Sequence, residues 1–411
     1  MRSALAAGIP FLFVLSLIGC GSGSPLIVRF ATFNASLNRD RAGQLVQDLS
    51  TGNDPQIRNV AEVIQRIRPD VLLINGFDHD PDNNSAPALF QKNYLSVSQN
   101  GAAPIEYPFR VFLPVNTGVP SGFDLDNDGQ IVSTPGTRGY GNDCLGFGQF
   151  PGQYGILLLS KYPFHSQQFV RSFQMMLWKD MPGAMLPTKA DGSPWYDDAE
   201  LSVMRLSSKS HWDVPLQINH RVVHVLASHP TPPAFDGSED RNGKRNHDEI
   251  RLWSDYLSHA PATSYIKDDD GALAGTGREF SFVIVGDMNA DPNDGASVPG
   301  AIQQLLDHPR VNSSFIPASD GAVEASQLQG GKNDTQKGDP RYDTADFSDG
   351  ENGAGNLRCD YVLPSKDLTV KGGGVFWPPT SEPLSRLVQM QPTVATSDHR
   401  LVWLDVIVPP Q

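Results

Sequence analysis

The sequence predicts a layered α/β domain, and three observations carry that expectation. Short apolar runs bounded by polar turns recur from Leu26 to Val408, the pattern of strands. Helical spacing of apolar residues separates the first two of these runs. The 33 prolines and 38 glycines in 411 residues point to long ordered loops on a scaffold, not to a helical bundle. Many strands with few helices stack in layers around one core.

Taken in order, residues 1–20 read as a targeting segment. Arg2 gives a thin positive start, Ile9 to Ile18 an apolar run and Gly19-Cys20 a small-residue exit. That run is too short to span a bilayer of about 30 Å as a helix. Leu17-Ile18-Gly19-Cys20 resembles a bacterial lipobox. The resemblance implies an acyl group on Cys20, a membrane anchor, and an exported lipoprotein; an ordinary cleaved signal peptide, giving a secreted protein, is the alternative. Residues 21–25 would be a short tether.

Residues 26–411 are expected to form one domain. Leu26 to Phe33 reads as its first strand. Ile57, Val60, Ala61, Ile64 and Ile67 mark one face of a helix, which Arg68-Pro69-Asp70 ends, and Val71 to Ile74 is a buried strand. Further strands are expected at Gly155 to Ser160, Val222 to Ser228, Phe280 to Val285, Asp360 to Leu363 and Leu401 to Val408. A helix is expected from His247 to His259 with Asn246 as its cap, and another around Ile302 to Leu306. The loop-rich stretches 78–150, 171–215 and 313–357 show no sustained apolar pattern and read as insertions around the same core.

The net charge of −14 disfavours a non-specific nuclease, because an acidic chain repels polyphosphate backbones. Small phosphate esters stay open, since a metal ion supplies local positive charge. Cys144 and Cys359 are compatible with a disulfide in an oxidising compartment and equally with two buried thiols. A monomer is expected.

Several strand ends carry polar residues suited to chemistry. Gly286-Asp287-Met288-Asn289 follows an apolar run and places a carboxylate and an amide two residues apart, on one side of extended chain. Ser397-Asp398-His399 precedes the last strand and offers an acid beside an imidazole. In Arg358-Cys359-Asp360-Tyr361, the carboxylate is placed to accept an imidazole N–H from another strand. His229 follows Val222 to Ser228, and Asn34 follows Thr32-Phe33. Each of these alone is also an ordinary turn residue. Asp124, Asp126 and Asp128 have calcium-loop spacing, but Pro135 stands where an EF-hand carries Glu, so a polar turn is the stronger reading.

In this order the residues resemble the endonuclease/exonuclease/phosphatase superfamily. The resemblance implies a four-layer sandwich of two packed mixed β-sheets flanked by helices, with long loop insertions, and a site at one edge of the strands. It implies a divalent cofactor, Mg2+ before Mn2+ or Ca2+, and a phosphate-ester substrate attacked by water. By resemblance, Asn34 lies near the metal and supports Asp287. Asp287 orients or deprotonates the water, and Asn289 binds the scissile phosphate. Asp398 ligates or orients the metal. His399, held by Asp360, stabilises phosphoryl oxygens and moves a proton, and His229 assists the leaving group.

One departure stands out. The family carries a metal-ligating Glu at the end of its second core strand, where this chain has Gly76. Asp78 or Asp80 would have to substitute. A Gly76→Glu exchange is therefore expected to raise metal affinity and activity, and a catalytically impaired binding protein is an alternative. The basic clusters at 205–212 and 241–247 offer Arg205, His211 and Arg241 as substrate contacts. They also leave an extracellular nuclease open as a second reading.

Overall fold

The computed structural model describes residues 24–80, 84–166, 169–273, 279–391 and 393–410. The targeting segment, Cys20 included, lies outside them. No helix among the described residues is long and apolar enough to cross a membrane.

The strands are β1 (Leu26–Leu37), β2 (Val71–Phe77), β3 (Phe109–Val111), β4 (Ile156–Ser160), β5 (Arg171–Ser172), β6 (His211–Ile218), β7 (Arg221–Ser228), β8 (Ser281–Asp287), β9 (Ala345–Asp346), β10 (Asn356–Leu357), β11 (Asp360–Pro364), β12 (Thr369–Val375) and β13 (Val402–Val408). The helices are α1 (Gln44–Thr51), α2 (Pro55–Ile67), α3 (Ala86–Phe90), α4 (Asp198–Leu201), α5 (Arg241–Leu257), α6 (Gln303–Leu306) and α7 (Asp320–Gln329). A six-stranded sheet has the order β12-β13-β1-β2-β4-β3, and a five-stranded sheet has the order β11-β8-β7-β6-β5. Both are mixed: β1 runs parallel to β2 and β7 parallel to β8, while the other pairs are antiparallel.

The two sheets pack face to face, and the alternation of β8 shows how. Val283 and Val285 join the core between the sheets, whereas Phe282 and Ile284 join a second core beneath Ile250, Trp253 and Leu257 of α5. A strand buried on both faces carries an unbroken apolar run, which is why β2 and β8 were conspicuous in the sequence. On the other side α2 packs Ile57, Val60, Ala61 and Ile64 against the first sheet's core. Pro55 opens this helix, and the Asp54 carboxylate accepts from Ile57 N at 2.9 Å, a cap worth about 1 kcal/mol. Arg68 closes it in the left-handed region at φ 55°. The expected four-layer sandwich with loop insertions is the architecture found.

Three elements differ from the expectation. The helix anticipated from His247 spans Arg241–Leu257, so Asn246 is no cap. Its first turns are polar in sequence yet buried: Arg245 donates to the carbonyls of Leu206, Leu145 and Arg205, and Asn246 to those of Thr231 and Met288. Strand β6 begins within the stretch 171–215, expected to be loop-rich, and runs beyond it, and β12 is masked by Gly372-Gly373-Gly374. Cys144 and Cys359 are both buried free thiols. Asp124 and Asp128 accept main-chain amides within their own turn.

Candidate active site

The parallel pairs β1/β2 and β7/β8 place their C-terminal ends on one edge of the sandwich, and the antiparallel β11 and β13 begin there. Asp360 is the cross-strand neighbour of Asp287, and Asn34 that of Asn75. Residues far apart in sequence therefore meet: Asn34 from β1, His229 after β7, Asp287 at the end of β8, Asp360 at the start of β11, and His399 before β13.

Asp287 is the hub. Its Oδ2 accepts from Asn34 Nδ2 at 3.0 Å and lies 3.4 Å from His229 Nε2 and 3.7 Å from His399 Nε2, while Oδ1 accepts from Asn289 N at 2.9 Å. Burial would raise the pKa of this carboxyl, but His399, His229 and Asn34 hold it well below the usual carboxylate range. A buried carboxylate so surrounded is an anion at every physiological pH and serves as a fixed acceptor.

The two histidines are polarised in opposite senses. Burial works against a charged His399, yet Asp360 and Asp287 outweigh it and push its pKa up to about 10. Its Nδ1 lies 2.9 Å from Asp360 Oδ2, which also accepts from Thr344 Oγ1 at 2.8 Å. Burial and Lys209 lower His229 to about 4 against the pull of Asp287. With Nε2 facing Asp287, His229 keeps a buried Nδ1 that no protein group satisfies. One imidazole is thus a proton donor at neutral pH and the other an acceptor, a division suited to general acid–base chemistry.

The turn bearing Asp398 and His399 is braced from behind. Asp346 N donates to Asp398 O at 2.8 Å and Arg400 N to Thr344 O at 2.7 Å. The buried Arg400 guanidinium reaches Ser397 O and Asp346 Oδ2, both at 2.8 Å, and lies over the Trp377 ring. Ser397 Oγ donates to Asn34 O at 2.6 Å, and Ser36 Oγ lies 3.4 Å from Asp398 Oδ1. Thr344, Arg400 and Ser36 carry no sequence signal, since their roles come only from tertiary approach.

A family model for the endonuclease/exonuclease/phosphatase family matches residues 31–399, a span that includes every residue of this cluster. The chain belongs to the endonuclease/exonuclease/phosphatase family. Members of this family are hydrolases acting on phosphoester bonds. Similar solved structures include an endonuclease/exonuclease/phosphatase from Beutenbergia cavernae (16% identity, TM-score 0.49, 93% of this chain and 72% of that one). Sphingomyelinase C from Streptomyces griseocarneus is another (13%, 0.42, 92% and 99%). A third is a mutant beta toxin from Staphylococcus aureus with bound magnesium ions (13%, 0.39, 92% and 99%). No curated protein matches the chain.

Several candidate residues of this family member have other work. Asp78 is buried, and its oxygens accept Tyr154 N at 3.0 Å and Arg39 N at 2.7 Å; it pins two loops and does not replace the glutamate. His211 is wholly buried between Ser207 Oγ and Glu249 O, out of a substrate's reach. Arg205 donates to Met175 O, and Arg241 pairs with Glu239 over the Trp195 ring. The two basic clusters thus fasten α5 to the loop before β6 and form no open groove. Asn289 gives one amide N–H to Pro230 O at 3.1 Å and keeps the other free.

Gly76 also differs from the expectation. Its φ is +69°, and a Cβ built there would stand 2.6 Å from Asn34 Oδ1. The extra residue of β1 between Asn34 and Leu37 produces this bulge against β2. A glutamate at 76 is strained by the backbone and displaces Asn34 Oδ1, so Gly76→Glu is expected to disturb the site and not to rescue it. Asn34 and Asp398 remain as the oxygen donors that a hard cation would take, beside the carboxylates of Asp287 and Asp360. Asn34 Oδ1 has one long contact, 3.4 Å from Ser36 N, and the half-buried Asp398 carboxylate lies 3.3 and 3.4 Å from the Ser397 and Ser36 hydroxyls. Such a reduced set suits a cation that keeps several waters, as Mg2+ does.

Proposed function

We propose that the protein is a metal-dependent phosphoesterase that hydrolyses small or lipid-linked phosphate esters by attack of water. The observation that carries this reading is the Asp287 carboxylate held between His399 and His229 at one edge of the sandwich. Asp287 orients the attacking water as a hydrogen-bond acceptor. The protonated His399, kept in place by Asp360 and Thr344, donates to a phosphoryl oxygen and neutralises developing charge. Asn289 offers its free amide N–H to the phosphate, His229 holds the Asp287 carboxylate through Nε2 on the leaving side, and the proton that the leaving oxygen takes up comes from His399. Asn34 and Asp398 would hold a divalent ion, Mg2+ first, which supplies charge neutralisation at the phosphate.

The nuclease alternative loses its support, because Arg241 and Arg245 are engaged within the protein. Export as a lipoprotein acylated at Cys20 belongs to the same proposal, and acyl-chain labelling lost in Cys20→Ala tests it. The test of function is a panel of phosphate monoesters, diesters, phospholipids and nucleic acids assayed with several divalent cations. Metal-dependent hydrolysis that disappears in Asp287→Ala and His399→Ala is the expected result. Substrate binding without turnover across the panel would identify a binding protein instead.

A further inference from the structure

We propose that Lys209 is the cation that receives the substrate's phosphate, an assignment that rests on the phosphoesterase reading above. Lys209 lies two residues before β6, whose first residue, His211, pairs with Ser228 at the end of β7. That register sets Lys209 at the same strand edge as His229. Its charge is near enough to act on Asp287, Glu249 and His229.

The side chain is only 5% exposed, yet its ammonium donates no hydrogen bond to any described residue. The ammonium nitrogen is not among the buried atoms left without a partner, so its three donors stay open to an approaching anion. The oxygens of Glu249, whose charge favours the ammonium, accept Ser208 N at 2.6 Å and Thr231 N at 2.5 Å. Burial lowers the pKa of Lys209 to about 8, against Glu249 and Asp287 which favour the charge.

The placement is rigid. Asn116 N donates to Lys209 O at 2.9 Å, and Asn116 Nδ2 donates to Ser207 O at 2.8 Å. A fixed cation with free donors beside a buried carboxylate and two imidazoles is matched by a phosphate anion. Donors aimed in advance at an anion lose little on binding it. A cation at this edge also offsets a net charge of −14, which disfavours phosphate at long range.

The test titrates inorganic phosphate into the full-length protein, in magnesium buffer, by calorimetry. Lys209→Met is expected to weaken phosphate binding about tenfold or more, and Lys209→Arg to keep most of the affinity. The melting temperature without phosphate should not fall in Lys209→Met. If that variant does not fold, Lys209→Gln replaces it in the same titration. Wild-type affinity in the neutral variant overturns the assignment, as does an equal loss in Lys371→Met, an exposed lysine on β12. Phosphate binding that depends on Lys209 in a protein without hydrolytic activity would keep the anion site and reject the catalytic reading. Hydrolysis lost in Asp287→Ala, with phosphate affinity indifferent to residue 209, would do the opposite.

Discussion

Asn34 Nδ2 donates to Asp287 Oδ2 across 3.0 Å, joining the end of β1 in one sheet to the end of β8 in the other. The bond crosses the seam of the sandwich, so the position of the central carboxylate depends on how the sheets dock. Asn34→Ala leaves a buried anion short of one donor. It is expected to cost ~1–3 kcal/mol of stability and to reduce hydrolysis at least about tenfold, since a misplaced acceptor no longer orients water. Urea denaturation and single-substrate kinetics on the same preparation check both effects. Unchanged kinetics would show that the seam does not position Asp287.

The Asp360–His399 pair gives a signed pH dependence. The folded imidazole titrates at about 10 against an ordinary value of 6.5. Between those values the folded state holds a proton that the unfolded state releases, so stability falls as pH rises. This contribution is complete below about 6.5 and gone above about 10. Asp360→Asn removes the main partner and should move the loss to lower pH. Melting temperatures from pH 6 to 10 for both proteins test it; superimposable profiles would reject the charged pair.

Position 76 makes a prediction opposite to a simple reading of the family pattern. Gly76→Glu should lower stability by ~1–3 kcal/mol and should not restore activity, because φ is +69° and the new Cβ meets Asn34 Oδ1 at 2.6 Å. Thermal melts and activity against magnesium concentration decide it. Higher activity in the variant would mean that the β1 bulge can reset to admit a ligand.

What was legible in the sequence follows from locality. Asp287, Asp360 and His399 sit at the ends of apolar runs, so their strand-edge positions could be read from pattern alone. Gly76 was noticed as a missing ligand, but its left-handed backbone depends on the β1 bulge, which only strand pairing reveals. Around Arg205, His211 and Arg241, polarity in the sequence suggests exposure, yet His211 is buried and Arg241 is paired with Glu239. Arg245 and Glu249 are in fact buried, each satisfied by main-chain groups from other segments. Thr344 has no local signal, and Lys209 stands in the sequence only as one member of the basic cluster at 205–212.

Glu249 illustrates this hidden polarity and yields its own prediction. Its carboxylate clips Ser208 N and Thr231 N, which belong to the loops entering β6 and leaving β7. Glu249→Ala strands both amides and opens a gap in a packed helix face, at an expected cost of ~3 kcal/mol or more. Glu249→Gln keeps one acceptor and should lose less. Because the clip fixes His229 through its loop, surviving Glu249→Gln protein should show reduced turnover with magnesium affinity unchanged. A parallel fall in magnesium affinity would mean that the clip also shapes the metal site.

Asp398 separates metal binding from the rest of the machinery. Its carboxylate is half-buried and touches only the Ser36 and Ser397 hydroxyls, at 3.4 and 3.3 Å, while the turn that carries it is held by main-chain bonds and by Arg400. Asp398→Asn therefore removes charge without removing a structural bond, and the melting temperature should stay within a degree or two, as for surface changes. The half-saturating magnesium concentration should rise by about 10–100-fold, the usual effect of disturbing a metal's surroundings. Turnover at saturating magnesium should approach that of the wild type, because Asp287, His229 and His399 are untouched. Activity measured across a magnesium series in both proteins resolves the two effects. A loss that no magnesium concentration recovers would move Asp398 from metal binding to the reaction itself.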